Sequence, residues 1–186
     1  MSASDGVGAG STTLVIIGVS GSGKTTIAVE LSRQLGWEYA EGDQFHPPAN
    51  VEKMRAGHPL TDDERWPWLG KIADWIGGHE NLGKNIVITC SALRAVYREV
   101  LRGGHPSVFF IHVDVSREVL QERLSRRQGH YMPASLLDSQ LATLEPLRPD
   151  EPGEAVPGDA KPDAVVSHVI DLLRSTGRLE PAPSGG

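Results

Sequence analysis

Apolar residues along this chain come in short unbroken runs, and these alternate with segments that carry them at helical spacing. Thr13-Leu-Val-Ile-Ile-Gly18 is the first run. A run of this kind suits a strand buried on both faces, as in a parallel sheet. After a glycine-rich turn, Lys24 to Leu35 places Ile27, Ala28, Leu31 and Leu35 along one helix face. Gly36 stands where such a helix would stop. Trp37 to Gly42 reads as a short second strand. Asn85 to Cys90 is a further apolar strand, with a helix over Ala92 to Leu101. Ser107 to Val115 is the next strand, and the strongly charged Ser116 to Gln128 the helix after it. Lys161 to Leu173 is the last helix, with Pro162 in its first turn.

Strands alternating with helices predict an α/β fold, a parallel sheet with helices on both faces. The stretch from Asp43 to Gly78 departs from the alternation and reads as a helical insertion that could cover a substrate. Thr61-Asp-Asp-Glu64 has capping-box spacing. Pro67 then falls inside the helix that Thr61 would start, so the helix starts near Asp63 or bends. A fifth strand would have to come from Gly153-Glu-Ala-Val-Pro-Gly158, where Pro157 and the glycines weaken it. Leu144 to Lys161 therefore reads as a mobile loop.

The 186 residues suit one domain. Met1 to Thr12 is rich in Gly, Ser and Ala and lacks the basic start and apolar middle of a signal peptide. It reads as a disordered leader, residues 13–174 as the folded domain, and 175–186 as a Pro/Gly/Ser-rich disordered tail. The net charge is -6, whereas a protein that binds nucleic acid through phosphate contacts is usually basic, so no nucleic-acid partner is expected. No apolar run approaches the roughly 18 residues of a membrane span, so no membrane partner is expected either. The single cysteine, Cys90, allows no internal disulfide and fits a reducing, cytoplasmic setting.

Gly18-Val-Ser-Gly-Ser-Gly-Lys-Thr25 fits the phosphate-binding pattern G-x-x-x-x-G-K-[ST]. A triphosphate is a dense anion, and backbone N–H groups can surround it only where side chains do not intrude. Gly18, Gly21 and Gly23 allow that approach, with Ser20, Ser22 and Thr26 as further ATP contacts. The loop opens onto a helix N-terminus, which adds partial positive charge. Lys24 would reach the β- and γ-phosphates, and the Thr25 hydroxyl would ligate Mg²⁺. This context, a buried strand before the loop and an amphipathic helix after it, is what the motif requires.

The loop alone does not name a reaction. A switch GTPase should also carry D-x-x-G at a strand end and N-K-x-D. Asp74-Trp-Ile-Gly77 matches the first only inside a helical segment, and the second is absent. A small-molecule kinase needs a phosphate cradle, a group that orients or deprotonates the acceptor, a substrate clamp and a cationic lid. Asp43 follows the second strand and so should sit at the carboxyl edge of the sheet beside the loop, as a catalytic base. A helix cap or turn carboxylate is the other reading of it. Arg123, Arg126 and Arg127, ending in Gly129-His130, read as a lid at about 123–135 whose arginines meet phosphate oxygens. Arg127 ranks first, with Arg123 close; a solvated helix end is the alternative.

In order along the chain these residues resemble the gluconokinase family, within the shikimate-kinase-like P-loop group. Gly42-Asp-Gln-Phe-His46 resembles its G-D-x-x-H segment, and Asn50-Val-Glu-Lys-Met54 its N-x-x-K-M. Gly57-His-Pro-Leu-Thr-Asp-Asp-Glu-Arg65 resembles G-x-P-L-x-D-x-D/E-R. Cys90-Ser-Ala-Leu-Arg94 with Tyr97-Arg98 resembles C-S-A-L-[KR]-x-x-Y-R, and Arg127-Gln-Gly-His130 the lid's R-x-G-H. The likeness covers about residues 13 to 145. It implies ATP with Mg²⁺ as phosphoryl donor, D-gluconate as acceptor, 6-phosphogluconate and ADP as products, and a homodimer. Lys24, Asp43 and Arg127 are then the catalytic candidates. Asp43, His46, Lys53, Arg65, Ser91, Arg98 and His130 are the acceptor-site candidates. Arg65 and Arg98 could take the carboxylate in bidentate fashion. Arg65 could instead pair with Asp62 or Asp63, and Arg98 could be a surface helix residue. The rival functions are a kinase of the same shape for another metabolite, and a nucleotide-binding regulator without catalysis.

Overall fold

The structure is a computed structural model that describes residues 10–126 and 134–181. Five strands form one parallel sheet: β1 (Thr13–Ile17), β2 (Glu38–Glu41), β3 (Ile86–Thr89), β4 (Val108–Asp114) and β5 (Gly153–Pro157). Their order across the sheet is β2-β3-β1-β4-β5. The helices are α1 (Lys24–Leu35), α2 (Pro48–Arg55), α3 (Asp62–Asn81), α4 (Ala95–Arg102), α5 (Arg117–Arg126), α6 (Ala134–Thr143) and α7 (Pro162–Ser175).

The strand side chains alternate between two cores. Leu14, Ile16, Val87, Phe109 and Ile111 face a layer that includes Ile27 and Leu31 of α1 and Val166 and Val169 of α7. Val15, Ile17, Ile86, Ile88 and Phe110 face Leu69, Ile72 and Ile76 of α3 and Leu101 of α4. Each central strand is thus buried on both faces, which is why it reads as a continuous apolar run. All strands being parallel, their carboxyl ends open on one edge, where α/β sheets place ligands.

The insertion is helical, as expected. Thr61 caps α3 by accepting the Glu64 amide, and the Glu64 carboxylate accepts the Thr61 amide in return. α3 continues through Pro67 to Asn81, so the proline removes one amide bond without ending the helix. Asp74 to Gly77 lies inside α3, away from any strand end.

Three expectations change. β5 does form, pairing with β4 from Phe110↔Gly153 to Asp114↔Pro157. It is an edge strand with Pro157 as its last residue, a place where a missing amide costs little. The preceding 144–152 segment is pinned by the ion pair of Arg98 with Glu151, so the mobile-loop reading of Leu144 to Lys161 fails. α4 starts at Ala95, three residues later than its pattern suggests, because Ala92 has φ 33° and Arg94 is extended. The Thr12 amide donates to Asn85 Oδ1 (2.7 Å), and the Arg178 and Leu179 amides close on the Leu173 carbonyl.

Candidate active site

The turn after β1 carries the phosphate loop. Gly21 and Gly23 have φ of 83° and 92°, values a side chain would strain. Gly23 is also the N-cap of α1 and makes no side-chain cap bond, so the first amides of the helix are left for a ligand. Lys24 arches back over the loop, its Nζ donating to the carbonyls of Gly18 (2.8 Å) and Val19 (3.0 Å). The buried Ser22 Oγ has no hydrogen-bond partner among the described residues. A Cβ at Gly18 would stand 2.7 Å from that oxygen. An amide-lined cradle with a cation across it fits a polyphosphate. Thr25 Oγ1 donates to Glu41 Oε1 at 2.8 Å, an oxygen-only pair of the kind that suits Mg²⁺. Glu41 was not among the sequence candidates. Its signal was its place at the end of β2, two residues before Asp43.

A close backbone approach sets Asp43. Gly42 donates its amide to Thr89 Oγ1 (3.2 Å) and accepts from Trp68 Nε1 (2.8 Å). A Cβ there would lie 2.1 Å from the Thr89 carbonyl oxygen, so only glycine lets β2 turn against β3 at this point. Asp43 follows directly, in a 3-10 turn over Gly42–Phe45. Its side chain is 74 % accessible, open to the cleft. The cleft walls are the chief influence on its carboxyl and raise its pKa; Lys24 opposes this and Glu41 adds to it. The open cleft admits water to this carboxylate, so the walls act fully only when substrate fills the space.

His46 stacks on Trp68 with centroids 4.0 Å apart, and its Nε2 lies 4.0 Å from Asp43 Oδ1. The Asn50 amide donates to its Nδ1 (3.3 Å) and to the Glu64 carbonyl (3.0 Å). That places the ring proton on Nε2, facing Asp43. Burial, with Arg65 nearby, lowers the His46 pKa to about 4, so the ring is neutral at physiological pH. A cleft of about 880 Å³, counting its open mouth, runs from Ser20 and Lys24 past Asp43 and His46 to Arg65 and Ser91. One compartment therefore joins the phosphate loop to a set of hydrogen-bonding groups suited to a polyhydroxylated anion.

The AAA domain family matches residues 14–134 of the chain. The gluconokinase of Gluconobacter oxydans is 54% identical over 84% of this chain and 88% of its own. This chain belongs to the gluconokinase family. A gluconokinase from Sinorhizobium meliloti superposes with a TM-score of 0.80 at 38% identity, covering 90% of this chain and 94% of its own. A sugar kinase from Janibacter sp. HTCC2649 does so with 0.84 at 49%, covering 88% and 94%.

Of the residues that the gluconokinase resemblance singled out, Asp43, His46, Arg65 and Ser91 line the cleft together with Ser20 and Lys24. Arg65 Nη1 donates to the Tyr97 hydroxyl (2.8 Å) and lies 3.4 Å from Asp62 Oδ1. Its Nε and Nη2 have no hydrogen-bond partner among the described residues. Arg98 is different. It is fully buried, and all its N–H groups are used: Nε and Nη2 on the Glu151 carboxylate, the rest on the carbonyls of Ala92, Glu145 and Pro146. It is neither a substrate clamp nor a surface residue. Lys53 does not line the cleft either, since Nζ holds Glu64 at 2.6 Å and so secures the α3 cap.

Arg123 packs against the phosphate loop. It donates to the carbonyls of Gly21 (3.3 Å), Ser22 (3.2 Å) and Gly158 (2.8 Å), and lines a second hollow with Gly23, Thr26 and Pro162. Its place is thus fixed by loop carbonyls. Arg127, His130 and most of the expected lid lie outside the described residues. Cys90 is buried, which lifts its thiol to about 12 and keeps it un-ionised. The sequence reading missed α6, whose Leu136, Ser139, Gln140 and Thr143 form another cleft wall. Their spacing is that of one helix face, and Pro133 stands directly before it, a signal that was present in the sequence.

Proposed function

We propose that this chain transfers the γ-phosphoryl group of ATP to the 6-hydroxyl of D-gluconate, giving 6-phospho-D-gluconate and ADP. The observation that carries this reading is the Asp43 carboxylate standing in a cleft that joins the phosphate loop to Arg65. The phosphate loop amides and Lys24 hold the triphosphate, with Ser20, Ser22, Thr26 and Arg123 shaping its surroundings. Thr25, supported by Glu41, would hold Mg²⁺, which supplies further neutralisation of phosphate charge when bound.

Asp43 orients the acceptor hydroxyl and takes its proton as the bond to phosphorus forms. A raised carboxyl pKa makes it a better proton acceptor than an ordinary aspartate. Neutral His46 reads a hydroxyl through Nε2–H, Ser91 reads another, and Arg65 receives the carboxylate at the far end through its unpaired edge. Arg127 and His130 remain as proposed phosphate and acceptor ligands. Walls of Trp68, Leu60 and Leu93 displace water that would otherwise take the phosphoryl group. ADP release measured across sugar acids, shikimate and nucleosides tests this reading; stimulation by another acceptor and not by gluconate would overturn it.

We propose also that two copies associate and that the protein works in the cytoplasm. No helix among the described residues is long and apolar enough to cross a membrane. The buried thiol suits a reducing compartment. Trp66 on α3, set edge-on to Tyr97, exposes apolar surface that a second copy would cover. Sedimentation equilibrium showing only monomer at micromolar concentration would exclude the dimer.

A further inference from the structure

α6 has two jobs that the proposed reaction does not account for. Its one face, Leu136, Ser139, Gln140 and Thr143, looks into the acceptor cleft, while Leu137 and Leu141 pack into the core. In the middle of that cleft face, Gln140 grips the phosphate loop with both ends of its amide. Oε1 accepts the Ser20 N–H at 2.7 Å, and Nε2 donates to Ser20 Oγ at 3.2 Å. At its carboxyl end the helix runs straight into Glu145, which fastens it to the acceptor segment after β3. The Glu145 amide donates to the Leu93 carbonyl (2.7 Å), and its carboxylate accepts the Ala95 amide (2.9 Å). The Arg98 guanidinium, held by Glu151, donates to the carbonyls of both Ala92 and Glu145. A single short helix is therefore bolted to the phosphate loop at one point and to the acceptor segment at another.

We propose that Gln140 is a positioning residue that couples the two substrate sites: acceptor bound against α6 settles the phosphate loop, and nucleotide bound in the loop settles the acceptor wall. This rests on gluconate being the acceptor. Gln140 itself need touch neither reacting atom, because it acts through Ser20. Coupling of this kind is a free energy between two sites and must be reciprocal. It is carried by an identified element that contacts both.

The test is calorimetric binding of a non-hydrolysable ATP analogue with Mg²⁺, with and without gluconate, and of gluconate with and without the analogue. In the natural chain each ligand tightens the other by the same factor, about fivefold or more. In Gln140→Ala, and in the bulkier Gln140→Leu that keeps the wall filled, each ligand still binds alone but the factor falls to about one. A purely structural role for Gln140 would lower the unfolding temperature and leave the factor intact. Retention of the factor in both variants overturns the proposal, as does a factor of about one in the natural chain. Absence of gluconate binding to the natural chain instead rejects the acceptor assignment on which it rests.

Discussion

His46 shows how one side chain ties the cleft to the stability of the fold. Its side chain is only 3 % accessible, pressed on Trp68, and its pKa falls from 6.5 to about 4. The unfolded chain takes up a proton on this ring below pH 6.5 that the folded chain refuses until about pH 4. Its contribution to stability is thus fully present above the unfolded value and is lost as pH falls through this window. The urea midpoint should drop between about pH 7 and about pH 4.5, and His46→Gln should drop less. Equal drops would contradict the buried neutral histidine. At this scale the sequence was informative wherever chemistry demands a residue type at a fixed spacing. The phosphate loop and Asp43 were legible for that reason, and Gly42 was legible as part of a motif, though not as the contact with the Thr89 carbonyl that requires it. The pairings made by Glu41 and Gln140 were not legible. Their partners, Thr25 and Ser20, are distant in the chain and are brought near only by the sheet and by α6.

At the scale of elements, the 144–152 segment and β5 are where local pattern misled. Pro157 and the flanking glycines argue against a strand, yet pairing with β4 and the Arg98–Glu151 latch outweigh propensity. Burial alone would raise the Glu151 carboxyl, but the Arg98 bonds and the Arg148 amide hold it below its ordinary value. Arg98 looked like a clamp because an arginine near a substrate segment resembles one; its role became visible only with its burial. Arg98→Met leaves a carboxylate buried without its partner, a loss of about 3–5 kcal/mol. The thermal midpoint should fall by roughly 10 °C. The double variant Arg98→Met with Glu151→Leu should recover most of it, since neither charge is then stranded. A single variant as stable as the natural chain would show that the latch contributes nothing.

For the whole molecule, the alternation of apolar runs with helical spacing was enough to predict a parallel sheet with helices on both faces, because each central strand is buried twice. It could not give strand order or the walls of the cleft, which depend on which carboxyl ends the crossovers bring together. In the folded chain those ends gather the phosphate loop after β1, Glu41 at the end of β2 with Asp43 just beyond it, and Ser91 after β3, with α3 and α6 closing the sides. The account stands on Asp43 as the group that activates gluconate in that cleft. Its most direct test is gluconate-dependent ADP release by the natural chain and by Asp43→Asn, with binding of the ATP analogue measured alongside. The account predicts gluconate-stimulated turnover that falls by about 10²–10⁴-fold in the variant while analogue binding stays near normal; turnover in Asp43→Asn equal to that of the natural chain would contradict it.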